Sequence, residues 1–251
     1  MAFKCREEIV GKRFLCISSP ARLKLHKICD WVWRRGIVRA SSHRDIHNPE
    51  LCVSLCFVFN YDATILVEFD DCDWRKREWI CVYEHKFQVF LIEYTLIWSL
   101  RKETPIGNDV LWPALNYKPL LDKVGLGEHH LKPIEHLLDR QLDFVDYLTL
   151  KHHQDSDFQN QKACREYPLI RECLRQWLEF QDGQKILLTT PSVLVGYRVK
   201  VYRVEGTTQW YTAVIVSYNE NTKELTLTDD TVLEEHNEDP TLVHIKLIGD
   251  G

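Results

Sequence analysis

The sequence predicts an α+β chain in which two small β-barrel modules of SH3-like size stand at opposite ends, separated by a helical segment. Two observations carry this. Strand-like apolar runs, closed by Gly, Asn or Asp turns, crowd both ends of the chain and follow the same order. Between them, apolar residues recur at spacings of three and four. The boundaries read as a first module over 1–100, a linker and helical segment over 101–190, and a second module over 191–251.

In the first module, Val10-Gly11 leads into the apolar run Arg13-Phe14-Leu15-Cys16-Ile17. Trp33 to Ala40 is a second strand, and Ile65 to Phe69 a third, ending at Asp70-Asp71. Trp74 to Tyr83 is a fourth, and Phe87 to Trp98 is apolar throughout. The linker follows at 101–109, where Pro105, Gly107 and Asn108 are turn formers. Trp112-Pro113-Ala114-Leu115 reads as a short packed segment. Pro133 is suited to open a helix, and Ile134, Leu137, Leu138, Leu142, Val145 and Leu148 then share one face. A second helix fits Pro168 to Gln181, with Gly183 as its C-terminal cap. The polar stretch 152–161 reads as a loop. Strands return with Val195 to Tyr202, Trp210 to Tyr218, Glu224 to Thr228 and Val243 to Leu247.

The two ends share a pattern. Val10-Gly11-x-Arg13-Phe14, Trp33-x-x-Gly36-x-Val38 and Val67-x-Phe69-Asp70-Asp71 at one end answer to Val195-Gly196-x-Arg198-Val199, Trp210-x-x-Ala213-x-Ile215 and Leu225-x-Leu227, followed by Asp229-Asp230, at the other. The glycine permits a tight entry into a bent strand. The tryptophan opens the next strand, where a small barrel needs bulk at its mouth.

Composition bounds the function. Nine cysteines, an odd number with no C-x-x-C, suit reduced thiols of an intracellular protein better than a disulfide framework. The longest apolar run, Leu51 to Tyr61, is too short to span a bilayer. The net charge of −5 divides unevenly: residues 1–50 carry +6 and the rest −11. A basic N-terminal module suits nucleic acid or an acidic partner, or arginines that solvate a barrel face. Its candidate nucleic-acid contacts are Arg34, Arg35, Arg39, Arg75, Lys76 and Arg77, interleaved with Trp33, Phe69, Trp74 and Trp79. In the second module Tyr197, Trp210, Tyr211 and Tyr218, with Asp229 and Asp230, are candidates for binding a methylated lysine or a peptide. Aromatic faces attract a methylammonium cation, although the same residues also pack barrel cores.

No catalytic set emerges. His43-Arg44-Asp45 is half of an iron triad with no second histidine in a matching context. Cys52 and Cys56 have no second pair for zinc. There is no Walker loop, nucleophile elbow or dinucleotide fingerprint.

Several of these motifs carry a family resemblance. Val10 to Cys16, Val38 to Asp45, Val67 to Asp71, Trp74 to Glu84, Trp112-Pro113-Ala114-Leu115, Pro119 to Gly127, Leu138 to Phe144, Gly196 to Tyr202, Thr208 to Tyr211 and Asp239-Pro240 resemble the N-terminal region of the lysine-specific demethylase 3 (jumonji-domain-containing 1) family. The resemblance implies Tudor-like and PWWP-like barrels and a nuclear, chromatin-associated role in transcription regulation. Histone tails, DNA, transcription factors or nuclear receptors are the partners it implies. It also implies that Fe(II) and 2-oxoglutarate serve histone H3 lysine 9 demethylation only in full-length relatives. This chain, lacking the JmjC region, is expected to be non-catalytic, to bind no cofactor or metal, and to be a fragment, short isoform or incomplete gene model. The alternative is an interaction scaffold that binds neither histone nor DNA. Residues 54–65 are an apolar insert relative to the family pattern, where a surface insertion should be polar. A translated intron or alternative exon accounts for it. Transcript reads joining the Val53 codon directly to that of Leu66 are the expected finding, and abundant peptides spanning Cys56 to Tyr61 would refute it.

Overall fold

The computed structural model describes residues 9–42, 64–83, 85–101, 111–152 and 162–248. Most of the apolar insert, the His43–Asp45 motif, most of the linker and most of the polar loop lie outside them. The chain forms two compact units: one from the described parts of 1–16, 33–87 and 180–251, the other from 17–32 and 88–179. No described helix is long and apolar enough to cross a membrane.

The first unit contains two barrels. In one, β1 (Arg13–Ser18), β2 (Arg34–Ser41), β3 (Ile65–Phe69) and β4 (Glu78–Ile80) are laid side by side, each antiparallel to the next. Phe14, Leu15, Val38, Val67 and Phe69 are buried, and Phe14 meets Phe69 edge to face at 5.5 Å. The expected fourth strand over 74–83 is shorter than the sequence suggested. Asp73 accepts the Arg75 N–H at 2.9 Å and caps a helical turn at Trp74–Lys76, so only Glu78–Ile80 pairs.

The second barrel is a five-stranded sheet numbered here by chain order: β10 (Arg198–Tyr202), β11 (Trp210–Asn219), β12 (Glu224–Asp229), β13 (Glu235–Glu238) and β14 (Ile245–Leu247). Their spatial order is β13-β12-β11-β10-β14. Val199, Val201, Ala213, Ile215, Leu225, Leu227 and Ile245 form its core. β10 alternates exposed and buried side chains from Arg198 to Val201, as a half-buried strand should, and ends on the buried Tyr202.

The repeat read from the sequence is a repeat of structure. Gly11 and Gly196 both sit in the left-handed region, at φ 84° and 92°. The Gly11 N–H donates to the Val38 carbonyl at 2.8 Å, and the Gly196 N–H to that of Ile215 at 2.7 Å. The return bonds run from Val38 to the Lys12 carbonyl, 2.9 Å, and from Ile215 to that of Tyr197, 3.0 Å. Val38 lies opposite Val67, and Ile215 opposite Leu227. Each ladder then slips at the next residue, between Val38 and Ala40 and between Ile215 and Ser217. Arg39 and Val216 are therefore the bulge residues of one shared layout. Arg13 pairs with Asp70 in the first copy, and Arg198 with Asp230 in the second. The register moves one equivalence: Val67 answers to Leu227 rather than Leu225.

In the second unit, β5 (Phe87–Leu100) and β6 (Leu111–Asp122) make a long hairpin. β7 (Leu131–His136) and β8 (Leu142–Asp146) continue the sheet, and β9 (Lys151–His152) pairs with β5 on its other side. Here the expected helix over 133–148 is corrected to a β-hairpin. The apolar spacing of three and four also places Ile134 and Val145 on the inner face of two strands, against Ile97 and Ala114. The turn decides between the readings. Asp139 accepts the Gln141 N–H at 3.2 Å, and Arg140 adopts φ 58°, which a helix interior excludes. Trp112 to Leu115 extends into a full strand.

The helical segment is real. It comprises α1 (Lys162–Glu166) and α2 (Pro168–Thr189). α2 runs eight residues past its expected end at Gln181, because Gly183 is not a cap. Its missing side chain lets the helix lie on Leu247, whose Cδ1 would stand 3.3 Å from an added Cβ.

Among the described glycines the tightest packing is at Gly36, where an added Cβ would fall 2.4 Å from the Glu68 carbonyl oxygen and 2.7 Å from the Phe14 ring. Gly36→Ala is expected to destabilise the first unit by about 3 kcal/mol, read as a lowered urea midpoint. A midpoint unchanged from wild type would refute this packing.

Candidate functional site

The residues singled out from the sequence sort into three places within the first unit. The first is a seam between the two barrels. Ala40 of β2 forms an antiparallel bridge with Val243, the Ser41 N–H donates to the Leu242 carbonyl at 2.8 Å, and the His244 N–H donates to the Arg39 carbonyl at 2.9 Å. Over this bridge the buried Arg39 side chain donates to both oxygens of Glu68, at 2.9 and 3.2 Å. Glu68 also accepts from the Tyr202 hydroxyl at 2.9 Å and the Gln209 amide at 3.1 Å. Arg77 donates to the Tyr202 hydroxyl at 3.2 Å. Burial pushes the Glu68 carboxyl up, but the hydrogen bonds from Arg39, Tyr202 and Gln209 outweigh it and hold it below its usual value. Arg39 is thus a structural ion-pair partner. At 8% exposure it is not placed to meet a phosphate.

His244 completes the seam. Its Nδ1 stands 3.0 Å from an Arg39 nitrogen. A guanidinium only donates, so Nδ1 accepts and the ring proton sits on Nε2. Burial, and then the charges of Arg39 and Lys246, push this histidine well below its ordinary pKa.

The second place is the aromatic set of the second barrel, which the structure does not bring together. Trp210 packs outside the barrel core with Ala40, Leu66 and Tyr202. Its ring lies 4.6 Å from the Lys246 ammonium and 5.2 Å from the Arg39 guanidinium. Tyr211 and Tyr218 pack against the barrel core instead. Tyr211 carries the Arg203 guanidinium 4.5 Å from its ring and donates its hydroxyl to Glu238 at 3.1 Å. Arg203 in turn pairs with Asp229 at 3.0 Å. Asp229 is fully buried and accepts the Thr231 N–H at 2.7 Å, which makes it a turn-former. Asp230 is paired with Arg198. Tyr197 stands exposed by Ile215, towards the opposite end of the β10–β11 ladder from Trp210. Both Trp210 and Tyr211 therefore already face a cation of the chain itself. Sequence reasoning missed Lys246, Arg203 and Arg39 as those cations, because nothing local marks them. Burial lowers Lys246 most, and Arg39 lowers it further, to a pKa of about 8.

The third place is the basic rim of the first barrel. Arg34 stacks 3.5 Å from the Phe69 ring and bonds Asp71 at 2.9 and 3.0 Å. Arg35 lies 4.0 Å from Asp70. Arg75 and Arg77 flank the Trp74 ring at 5.0 and 5.2 Å. Arg75 and Lys76 are exposed, and Trp79 beside them is 45% exposed.

The second unit has its own concavity, a cleft of about 310 Å³ lined by Leu91, Tyr117, Pro119, Leu126, Pro133 and Tyr147 among others. Lys132 on its wall donates to the carbonyls of Leu126 and Gly127 at 3.3 and 2.5 Å. Among the described residues no three His, Cys, Asp or Glu side chains cluster as metal ligands. The six cysteines described are free thiols, and burial pushes that of Cys16 up to about 12, which leaves it unreactive.

Comparison with known proteins follows this division. The family model for the tudor domain of lysine-specific demethylase 3B matches residues 186–251. The model for its PWWP domain matches 90–184. A domain of unknown function matches 8–79. A human probable JmjC domain-containing histone demethylation protein 2C is 36% identical over 264 residues, covering 100% of this chain. The chain belongs to the lysine-specific demethylase 3 family. Lysine-specific demethylase 3A of Mus musculus is 32% identical over 250 residues, and that of Gallus gallus 31% over 245. The chain spans 10% of the length of the human relative and 18% of the mouse demethylase. The β10–β14 barrel is thus the Tudor module of this family, and the sheet of the second unit its PWWP module. The stretch matched by the domain of unknown function is a further barrel, built on the layout of the Tudor module.

The seam makes stability depend on pH. Unfolded, His244 takes up a proton below about pH 6.5, whereas the buried folded ring does not. The unfolded state then binds more protons, so stability is lost as pH falls below that value. The urea midpoint is expected to drop between pH 7.5 and 5.5, and the drop to shrink in His244→Gln. An equal drop in both proteins would rule out His244 as its source.

Proposed function

We propose that the chain is the non-catalytic chromatin-association region of a histone demethylase-type transcriptional regulator of the nucleus. In this reading, demethylation of histone H3 lysine 9 with Fe(II) and 2-oxoglutarate belongs to other parts of the longer family members. One observation carries it: the exposed turn bearing Arg75 and Lys76 between Trp74 and Trp79, on a barrel fused to a Tudor module. Two cations beside flat aromatic rings suit a nucleic-acid backbone with its bases or sugars. Arg34, Arg35 and Arg77 are instead tied to Asp71, Asp70 and Tyr202. A methyl-lysine role for the Tudor aromatics requires displacement of Lys246 from Trp210 or of Arg203 from Tyr211. This favours DNA over a histone tail as the first ligand.

A second reading, a protein-interaction scaffold without histone or DNA binding, is favoured by that same internal stacking. Titration of the whole chain with a fluorescent DNA duplex separates the two. Binding is expected to weaken steeply between 50 and 200 mM salt, and Arg75→Ala/Lys76→Ala is expected to reduce the slope of log K against log salt by about 2. No binding, or an unchanged slope in the double variant, would leave the scaffold reading.

A further inference from the structure

The duplicated layout makes the first barrel a reference for the Tudor barrel. In the first barrel, β1 leaves one side of β2 free beyond Val38, and the extended segment Leu242–His244 takes it. That segment gives one bond to the Arg39 carbonyl and accepts one from the Ser41 N–H. The side chains beside it are covered: Val10 is 7% and Arg39 8% exposed.

In the Tudor barrel, β10 leaves the same side of β11 free beyond Ile215. The groups corresponding to the Arg39 carbonyl and the Ser41 N–H are the Val216 carbonyl and the Tyr218 N–H. Among the described residues, no backbone segment pairs with that side. The flanks are bare as well. Val195, the counterpart of Val10, is 48% exposed, and Val216, the counterpart of Arg39, 41%. Val193 and Tyr197 add two more exposed apolar side chains next to them in the chain. Four such side chains beside an open strand edge are what a soluble barrel ordinarily covers.

We propose that the edge of β11 at Val216–Tyr218 is a docking site for an extended segment of a partner protein. The segment adds as a short antiparallel strand and sets apolar side chains against Val195, Tyr197 and Val216. Its chemistry follows from the segment seated on the equivalent edge. Leu242 and Val243 there are apolar and suited to extended backbone. The third residue, His244, answers the Arg39 guanidinium. Opposite Val216 a histidine finds no such donor, so the docked segment carries an apolar residue at that place. Backbone bonds supply the affinity, and the valine-and-tyrosine surface supplies the selection. This proposal does not rest on the DNA reading above.

The probe is a fluorescent peptide copying Asp239–Leu247 with His244→Val, titrated against the whole chain. Saturable binding is expected, with NMR amide shifts at residues 193–197 and 215–219. Val216→Asp in the chain, an exposed substitution that leaves the thermal midpoint in place, is expected to weaken it about tenfold. The peptide retaining histidine is expected to bind more weakly than the valine form. No binding at about 1 mM peptide, binding indifferent to Val216→Asp, or amide shifts confined to residues 40–42 would each overturn the proposal. So would a dimer in sedimentation that Val216→Asp dissociates, since a second copy would then be the occupant.

Discussion

The first unit depends on a carboxylate and a guanidinium that have left water together. Glu68 and Arg39 face each other between two barrels, with side chains only 15% and 10% exposed. Removing either one leaves a buried charge uncompensated, a loss of about 3–5 kcal/mol in comparable sites. The Tyr202 hydroxyl and the Gln209 amide fill the remaining acceptor positions of Glu68, so the carboxylate is satisfied from both sides. The backbone bridge at Ala40 and Val243 sets its geometry. Apolar burial alone would let the barrels slide. Directional bonds converging on one carboxylate do not, and the seam therefore fixes orientation more than it adds stability.

Much of this was legible in the sequence, for a physical reason. A left-handed glycine at the entry to a bent strand has few substitutes, so Gly11 and Gly196 announce the same event. The repeat followed from them, whereas the bulge and the Arg–Asp pair came into view only with the structure. What failed was periodicity over 133–148. Apolar residues three and four apart are compatible with a helix face and also with two short strands whose inner positions alternate. Only the turn at Asp139–Arg140 separates the two cases, and an arginine at positive φ leaves no signature in a sequence.

The candidate site was less legible than the fold. Aromatic residues and acids were found where they were expected along the chain, but the cations facing them come from far away in sequence. Lys246 reaches Trp210 from β14, and Arg39 reaches it from the other barrel. Pairings of that range are fixed by tertiary packing and leave no local pattern. The same holds for the basic rim. Its six candidates look alike in the sequence, yet Arg39 is buried in the seam while Arg75 and Lys76 face water.

The seam also imposes an order of assembly. Arg39 and His244 meet across 205 residues of chain. On a ribosome, β2 emerges long before the segment that will cover its outer edge. Until then the first barrel carries an unprotected strand, free to pair with the wrong neighbour, and its arginine has no histidine to meet. Contacts of this span slow folding and lengthen the exposure of such edges. The chain's last few dozen residues therefore act as the lock on its first hundred, and a nascent chain halted before them is the form most in need of a chaperone.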